Sequence, residues 1–170
     1  MARISSYESE KERLLSHFTV ENLQEAVLWI SSSGTIVQVN DMACSMSGYS
    51  REELTNMTIV QLNLTPEIAN FPSYWQKLKE NKKLVFESRH RHKTGYDYDV
   101  EISGNYIEYK GEEFSCSIVR DVRKKKMEEQ LLRAVSEATS GLTGQDFLIE
   151  LSKNVVRILG FRYAFIVECT

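Results

Sequence analysis

His90 and His92 are the first residues whose spacing suggests chemistry. Two apart in an alternating run, they project to one face of a strand and could pinch a metal ion. Zinc takes four ligands, and no cysteine or carboxylate of matching spacing completes the set, so the pair reads as polar members of a basic strand beside a turn. Cys44, Cys116 and Cys169 are odd in number and far apart, with no CxxC among them. That is the pattern of reduced thiols in a cytoplasmic protein. No G-x-S-x-G turn presents a nucleophile, and no GxxxxGK[ST] loop cradles a phosphate. Gly141-Leu142-Thr143-Gly144 reads as a helix break. Asp97, Asp99 and Glu101 alternate onto one polar face, where they solvate a strand rather than form an acid–base pair. The basic run 120–126 lacks the interleaved aromatics that stack on bases, so it reads as a solvated helix start and not as a nucleic-acid or lipid surface. What remains is aromatic: Trp29, Trp75, Tyr96 and Tyr98 either fill a core or line a small-molecule cavity. An enzyme ranks last.

The elements that position these residues follow from periodicity. Residues 5–18 read as a polar helix with Leu14, Leu15 and Phe18 near its end. AVLWI and TIVQVN flank a Ser/Gly turn and make a hairpin. Asn40 and Asp41 suit a helix start, Gly48 breaks that helix, and Ser50 with Glu53 has the spacing of a capping box. The stretch 57–72 reads as loop or short helices limited by Pro66 and Pro72. Residues 73–81 read as a helix with Trp75 and Leu78 on one face.

From Leu84 the period becomes two. Phe86, Ser88 and His90 alternate with Glu87, Arg89 and Arg91. After a turn at 93–95, Tyr96, Tyr98, Val100 and Ile102 share an apolar face, and after a turn at 110–111 Phe114, Cys116 and Ile118 continue it. The expected result is a five-stranded antiparallel sheet with helices on one face, an α+β architecture.

A helix over 122–139 leaves the sheet. Met127, Leu131, Ala134 and Ala138 form a coiled-coil seam at 4-3-4 spacing, with Leu132 and Val135 as a competing seam. Lys124, Lys125 and Lys126 oppose the helix dipole at its start, so a partner is expected to hold this helix. Residues 145–159 read as a further helix stopped by Gly160, and 163–167 as a strand.

The chain has 170 residues, 42% hydrophobic and 26% charged, with a formal net charge of −3. These values suit a globular domain plus something smaller, and a domain of that size buries a core without disulfide or metal staples. The longest uninterrupted apolar stretch, 26–30, is far short of the roughly 20 residues a membrane helix needs. No secretory signal is read at the start, and no nucleic-acid partner is expected.

The run AVLWISSSGTIVQVNDMACSMSGYSREEL resembles the first hairpin and Asn-x-Ala…Gly-Tyr-Ser-x-Glu-Glu-Leu region of the PAS family, carried here by Asn40, Gly48, Tyr49, Ser50, Glu53 and Leu54. FESRHRHKTGYDYDVEIS is similar to that family's Lys-x-Gly hairpin. IVRDVRKKKMEEQL resembles its Asp-Ile-Thr junction and outgoing signalling helix, with Arg123 where the family has Thr. Residues 137–170 faintly resemble the start of a GAF domain.

The resemblance implies an N-terminal helix (1–18), a PAS domain (19–122), a signalling helix (123–140) and an incomplete GAF-like start (141–170). It implies a bacterial, cytoplasmic, homodimeric sensor module whose effector, a histidine kinase or cyclic-dinucleotide enzyme, lies outside this chain. The candidates to line a ligand pocket are Trp29, Met46, Trp75, Phe86, Tyr98 and Cys116. Asp121 and Arg123 are the expected relay. Haem-binding relatives use a histidine on the helix before the meander, and SYWQKLKEN has none. Flavin-binding relatives use an Asn-Cys-Arg-Phe motif, and Cys44 lies outside any such motif. Haem and flavin are therefore disfavoured and no metal is expected. The alternatives are a ligand-free dimerisation scaffold and a haem- or flavin-bearing gas or redox sensor.

Overall fold

The computed structural model describes residues 2–139, 145–160 and 162–163. They divide into two units, Met1–Asp121 and Val122–Thr170.

The first unit opens with helix α1 (Ala2–Glu21), then strands β1 (Ala26–Ser31) and β2 (Ile36–Val39). Five helices follow: α2 (Asp41–Ser47), α3 (Arg51–Thr55), α4 (Ile59–Leu62), α5 (Pro66–Ala69) and α6 (Phe71–Asn81). A meander of β3 (Lys83–Arg91), β4 (Asp97–Tyr109) and β5 (Glu112–Asp121) completes it. The sheet is antiparallel with order β2-β1-β5-β4-β3, so the last strand is central and β3 is an edge. The architecture is the expected α+β fold.

Local chemistry explains the elements. The Ser50–Glu53 capping box forms, with Glu53 N–H donating to Ser50 Oγ at 3.1 Å and Ser50 N–H to Glu53 Oε2 at 2.8 Å. Asn40 caps α2 by accepting from Ala43 N–H at 3.0 Å, and the same oxygen accepts from Val27 N–H at 2.9 Å. Its amide nitrogen donates to the carbonyls of Val20 and Glu25, both at 3.0 Å. One buried side chain thus ties the end of α1 and the start of β1 to α2. Gly48 ends α2 with φ of 76° and lies against the His92 ring, so both backbone and space favour glycine. Pro72 falls in the first turn of α6, where its missing N–H costs nothing, so the helix begins at Phe71 rather than at residue 73.

The core lies between the helices and one sheet face. Ala26, Leu28 and Ile30 of β1 and Tyr98, Val100 and Ile102 of β4 meet Leu54, Leu62, Ile68, Trp75 and Leu78 from the helices. On β5 the phase is opposite to the sequence expectation: Ser115, Ser117 and Val119 are buried under the helices, while Phe114, Cys116 and Ile118 point to the other face. The pairing requires this. Leu28 faces the core and stands opposite Ser117, whereas Trp29 stands opposite Cys116. Small residues under the bulky side chains of α6 let the layers approach. Ser88 and His90 are also buried, so His90 is not the solvated strand residue that its polarity suggests.

In α1, Leu14, Leu15 and Phe18 are 66%, 55% and 65% exposed.

The second unit contains α7 (Arg123–Thr139) and α8 (Gln145–Leu159), which pack on each other. Along the expected seam Ala134 is buried, Leu131 half-buried and Met127 exposed, while Leu132 and Val135 of the competing seam are both exposed. The side chain of Ala138, the helix break at 141–144 and residues 164–167 of the expected strand lie outside the described residues. No helix among the described residues is long and apolar enough to cross a membrane.

Candidate functional site

The space beneath the sheet is where polar groups converge without charge. Asn63, in the connection between α4 and α5, lies over edge strand β3, where its backbone bridges His90 and the next N–H, of Leu64, donates to the Arg89 carbonyl at 2.9 Å. The Asn63 carbonyl oxygen accepts from Thr65 N–H at 2.9 Å, Thr65 Oγ1 at 2.5 Å and Ser88 Oγ at 3.0 Å. Its amide nitrogen is left to face His90 Nε2 at 3.3 Å. Burial pushes the His90 pKa down to about 4, so the ring is neutral at pH 7. The ring also meets Tyr98 edge-on, with centroids 6.0 Å apart.

A cavity of about 10 Å³ lies beside this network, lined among others by Asn63, Phe71, Tyr74, Phe86, His90 and Ser117. That is room for about one water molecule. Outside, between α5, α6 and β3, runs a cleft of about 560 Å³. Tyr74 and Phe86 line both.

A second cluster pins the end of α6 to the β4–β5 hairpin. The Glu113 carboxylate accepts from Lys79, from the Tyr106 hydroxyl at 2.7 Å and from Trp75 Nε1 at 3.4 Å. The Lys79 and Tyr106 donors hold the Glu113 carboxyl below its usual pKa, and Glu113 pushes Tyr106 up to about 12. On the other side, Arg51 donates to Glu21 at 3.0 Å, to Asp41 at 2.7 Å and to the Val39 carbonyl, fixing the last turn of α1.

Of the expected pocket residues, only Phe86 lines the cavity. Tyr98 and Trp75 belong to the same core, Trp75 beside Phe71 with centroids 5.8 Å apart, and Met46 packs against its edge. Trp29 and Cys116 are cross-strand neighbours on the opposite sheet face and do not join them. Burial pushes the Cys44 and Cys116 thiols up, so neither is a thiolate at neutral pH. Sequence reasoning missed His90, Asn63 and Tyr74 as cavity residues; the alternation of Phe86, Ser88 and His90 and the spacing of Tyr74 and Leu78 were the available signals. Among the described residues no group of three or more His, Cys, Asp or Glu could hold a metal. Asp121 is the last residue of β5, opposite Val100, and Arg123 is the first of α7. The first intrahelical bond, Lys126 N–H to Val122 C=O at 2.8 Å, makes Val122 the cap residue, one beyond Asp121.

The fold is shared with known proteins. The chain is 29% identical over 93 residues to a methyl sulfide methyltransferase-associated sensor of Methanosarcina acetivorans, a match spanning 55% of this chain and 9% of that relative's length. Among solved structures it is similar to a PAS domain from a two-component sensor histidine kinase, with TM-score 0.59 and 28% identity over 66% of this chain and 98% of that one. It also resembles the PAS domain of an HTR-like protein from Haloarcula marismortui, with TM-score 0.60 and 22% identity over 71% and 98%. The family model described as PAS domain matches residues 24–124, which run from just before β1 to the first turn of α7. The chain therefore belongs to the PAS domain family, a sensory and non-catalytic fold.

Proposed function

We propose that this chain is the signal-sensing and dimerisation module of a multidomain signalling protein, with its state read beneath the sheet and passed through α7 to an effector outside the chain. The observation that carries the reading is the position of β5. It is the central strand of the sheet, it contributes Ser117 and Val119 to the cavity lining, and Val122 alone separates it from α7. In this reading a shift of β5 is passed to the helix across that single residue. Packed elements respond to such shifts by moving between discrete arrangements, here two arrangements of a dimer. The effector class that fits best is a histidine kinase, supported by the likeness to a PAS domain of a two-component sensor kinase. The exposed Leu14, Leu15 and Phe18 of α1 and the exposed Met127, Leu132 and Val135 of α7 are the surfaces for a second copy, with Leu131 of the seam half-buried beside them. A second reading, a dimerisation scaffold without ligand, draws support from the nearly filled interior of about 10 Å³.

The test is insertion of one to seven residues after Glu129 in the chain fused to its effector. Output is expected to swing with insertion length and to recover at seven residues, the coiled-coil repeat. Output indifferent to insertion length overturns the reading.

A further inference from the structure

The cleft outside and the cavity inside share one pair of rings in their linings. Tyr74 of α6 and Phe86 of β3 stand edge to face with centroids 5.8 Å apart, and each lines both spaces. The Tyr74 hydroxyl reaches across to β4, where Gly104 leaves it room: a Cβ at Gly104 would lie 2.6 Å from that oxygen. The next nearest atoms, on Leu78 and Ser115, would be at an ordinary 3.7 Å. Gly104 has no positive φ, so its missing side chain serves this contact and not the backbone. Among the described residues no hydrogen bond holds the Tyr74 hydroxyl, and burial alone pushes its pKa up to about 12. The ring is seated by packing, and packing contacts are individually weak.

Resting on the sensing role proposed above, we propose that Tyr74 is the door of a ligand site formed when the outer cleft joins the inner cavity, and that the site takes small uncharged molecules with an apolar body and one hydrogen-bonding group. Size requires the door. Nothing larger than a water fits while Tyr74 lies on Gly104. The lining selects the class. Among the described residues of the inner cavity none is Asp, Glu, Lys or Arg, and His90 stays neutral there. An ion moved inside would lose its hydration and meet no counter-charge. A hydroxyl or amide finds Asn63, His90 and Ser117 at one end and Leu28, Ile30 and Phe71 around it.

Benzyl alcohol, benzoate and benzylamine share one ring and differ in charge, and their binding to the 170-residue chain is measured by NMR titration. Gly104→Ala places a methyl group where the Tyr74 oxygen sits and turns the ring out. This variant is expected to bind benzyl alcohol at least tenfold more tightly than wild type, with no gain for benzoate or benzylamine. Adding Tyr74→Phe removes the oxygen the methyl meets and is expected to return the affinity to the wild-type value. If Gly104→Ala does not fold, Tyr74→Ala takes its place with the same tenfold gain expected. Unchanged affinity for benzyl alcohol in a folded variant, an equal gain for all three compounds, or no effect of the added Tyr74→Phe overturns the door. The insertion series in α7 does not depend on this site, so the door can fail while the sensing role stands, and the reverse.

Discussion

Asn63 fixes the protonation pattern of His90. Thr65 N–H, a group that only donates, lies 2.9 Å from one end of the Asn63 amide, so that end is the carbonyl oxygen and the NH₂ end faces His90 Nε2 at 3.3 Å. Nε2 must then accept, which leaves the ring proton on Nδ1. A protonated ring would present two donors and turn one against the Asn63 NH₂. The pair therefore joins edge strand β3 to the α4–α5 connection only while the ring is neutral.

This sets a pH dependence. The His90 pKa falls from an unfolded value of 6.5 to about 4 in the fold, so between those values the unfolded chain binds the extra proton. The stability contributed by the neutral ring is complete above about pH 6.5 and is lost progressively as pH falls through 4. Linkage gives about 2 kcal/mol lost between pH 7 and pH 5. Urea unfolding at the two pH values should show that loss in wild type and less than half of it in His90→Gln. Equal losses in both would remove His90 as the cause.

Gly48 should be intolerant of a side chain for two separable reasons. Its φ of 76° strains any L-residue, and a Cβ runs into the His92 ring. Gly48→Ala is expected to cost about 1–2 kcal/mol from the left-handed backbone, plus a further loss from displacing His92. Combining it with His92→Ala should recover the second part and not the first, as read by a double-mutant cycle of urea midpoints. Strict additivity of the two changes would mean that the ring contact is not made.

How far the sequence reveals the fold depends on the range of the interaction. The Ser50–Glu53 box, the Asn40 cap and the turns at Gly95 and Gly111 are legible because each is decided within a few residues. The burial of His90 is not legible, because its partner Asn63 stands 27 residues away. Alternation gives the period of a strand but not its phase when both faces carry apolar side chains. On β5 the run Phe114, Cys116, Ile118 looks like the inward set, yet pairing with β1 turns Ser115 and Ser117 inward. Tyr74 as a door follows only from its contact with Gly104, 30 positions along the chain.

Self-association should depend on α7. Leu131 is half-buried in a helix whose neighbours Leu132 and Val135 are exposed. Leu131→Asp is expected to shift the chain from dimer toward monomer at low micromolar concentration in light scattering, with the circular dichroism of the sheet domain retained. An unchanged mass would place the dimer contact elsewhere, with α1 the first surface to test.

The purified chain should be colourless. The one histidine lining the cavity, His90, is occupied by Asn63, and the space beside it holds about 10 Å³. An absorption band in the visible that co-purifies in stoichiometric amount would restore the haem or flavin reading.

The relay from sheet to helix is tested most directly at Asp121, which ends the central strand one residue before the cap of α7. A carboxylate near a helix start is worth about 0.5–2 kcal/mol, small beside a domain stability of about 5–15 kcal/mol. Asp121→Ala should therefore lower the melting temperature only modestly while changing how the helix leaves the sheet. The measurement is effector output of the fused protein, wild type against Asp121→Ala, at matched expression. A changed basal output, or a lost response to signal, in a protein that remains folded is the predicted result. Output identical to wild type in both respects would show that the state of the sheet does not reach the effector through this junction.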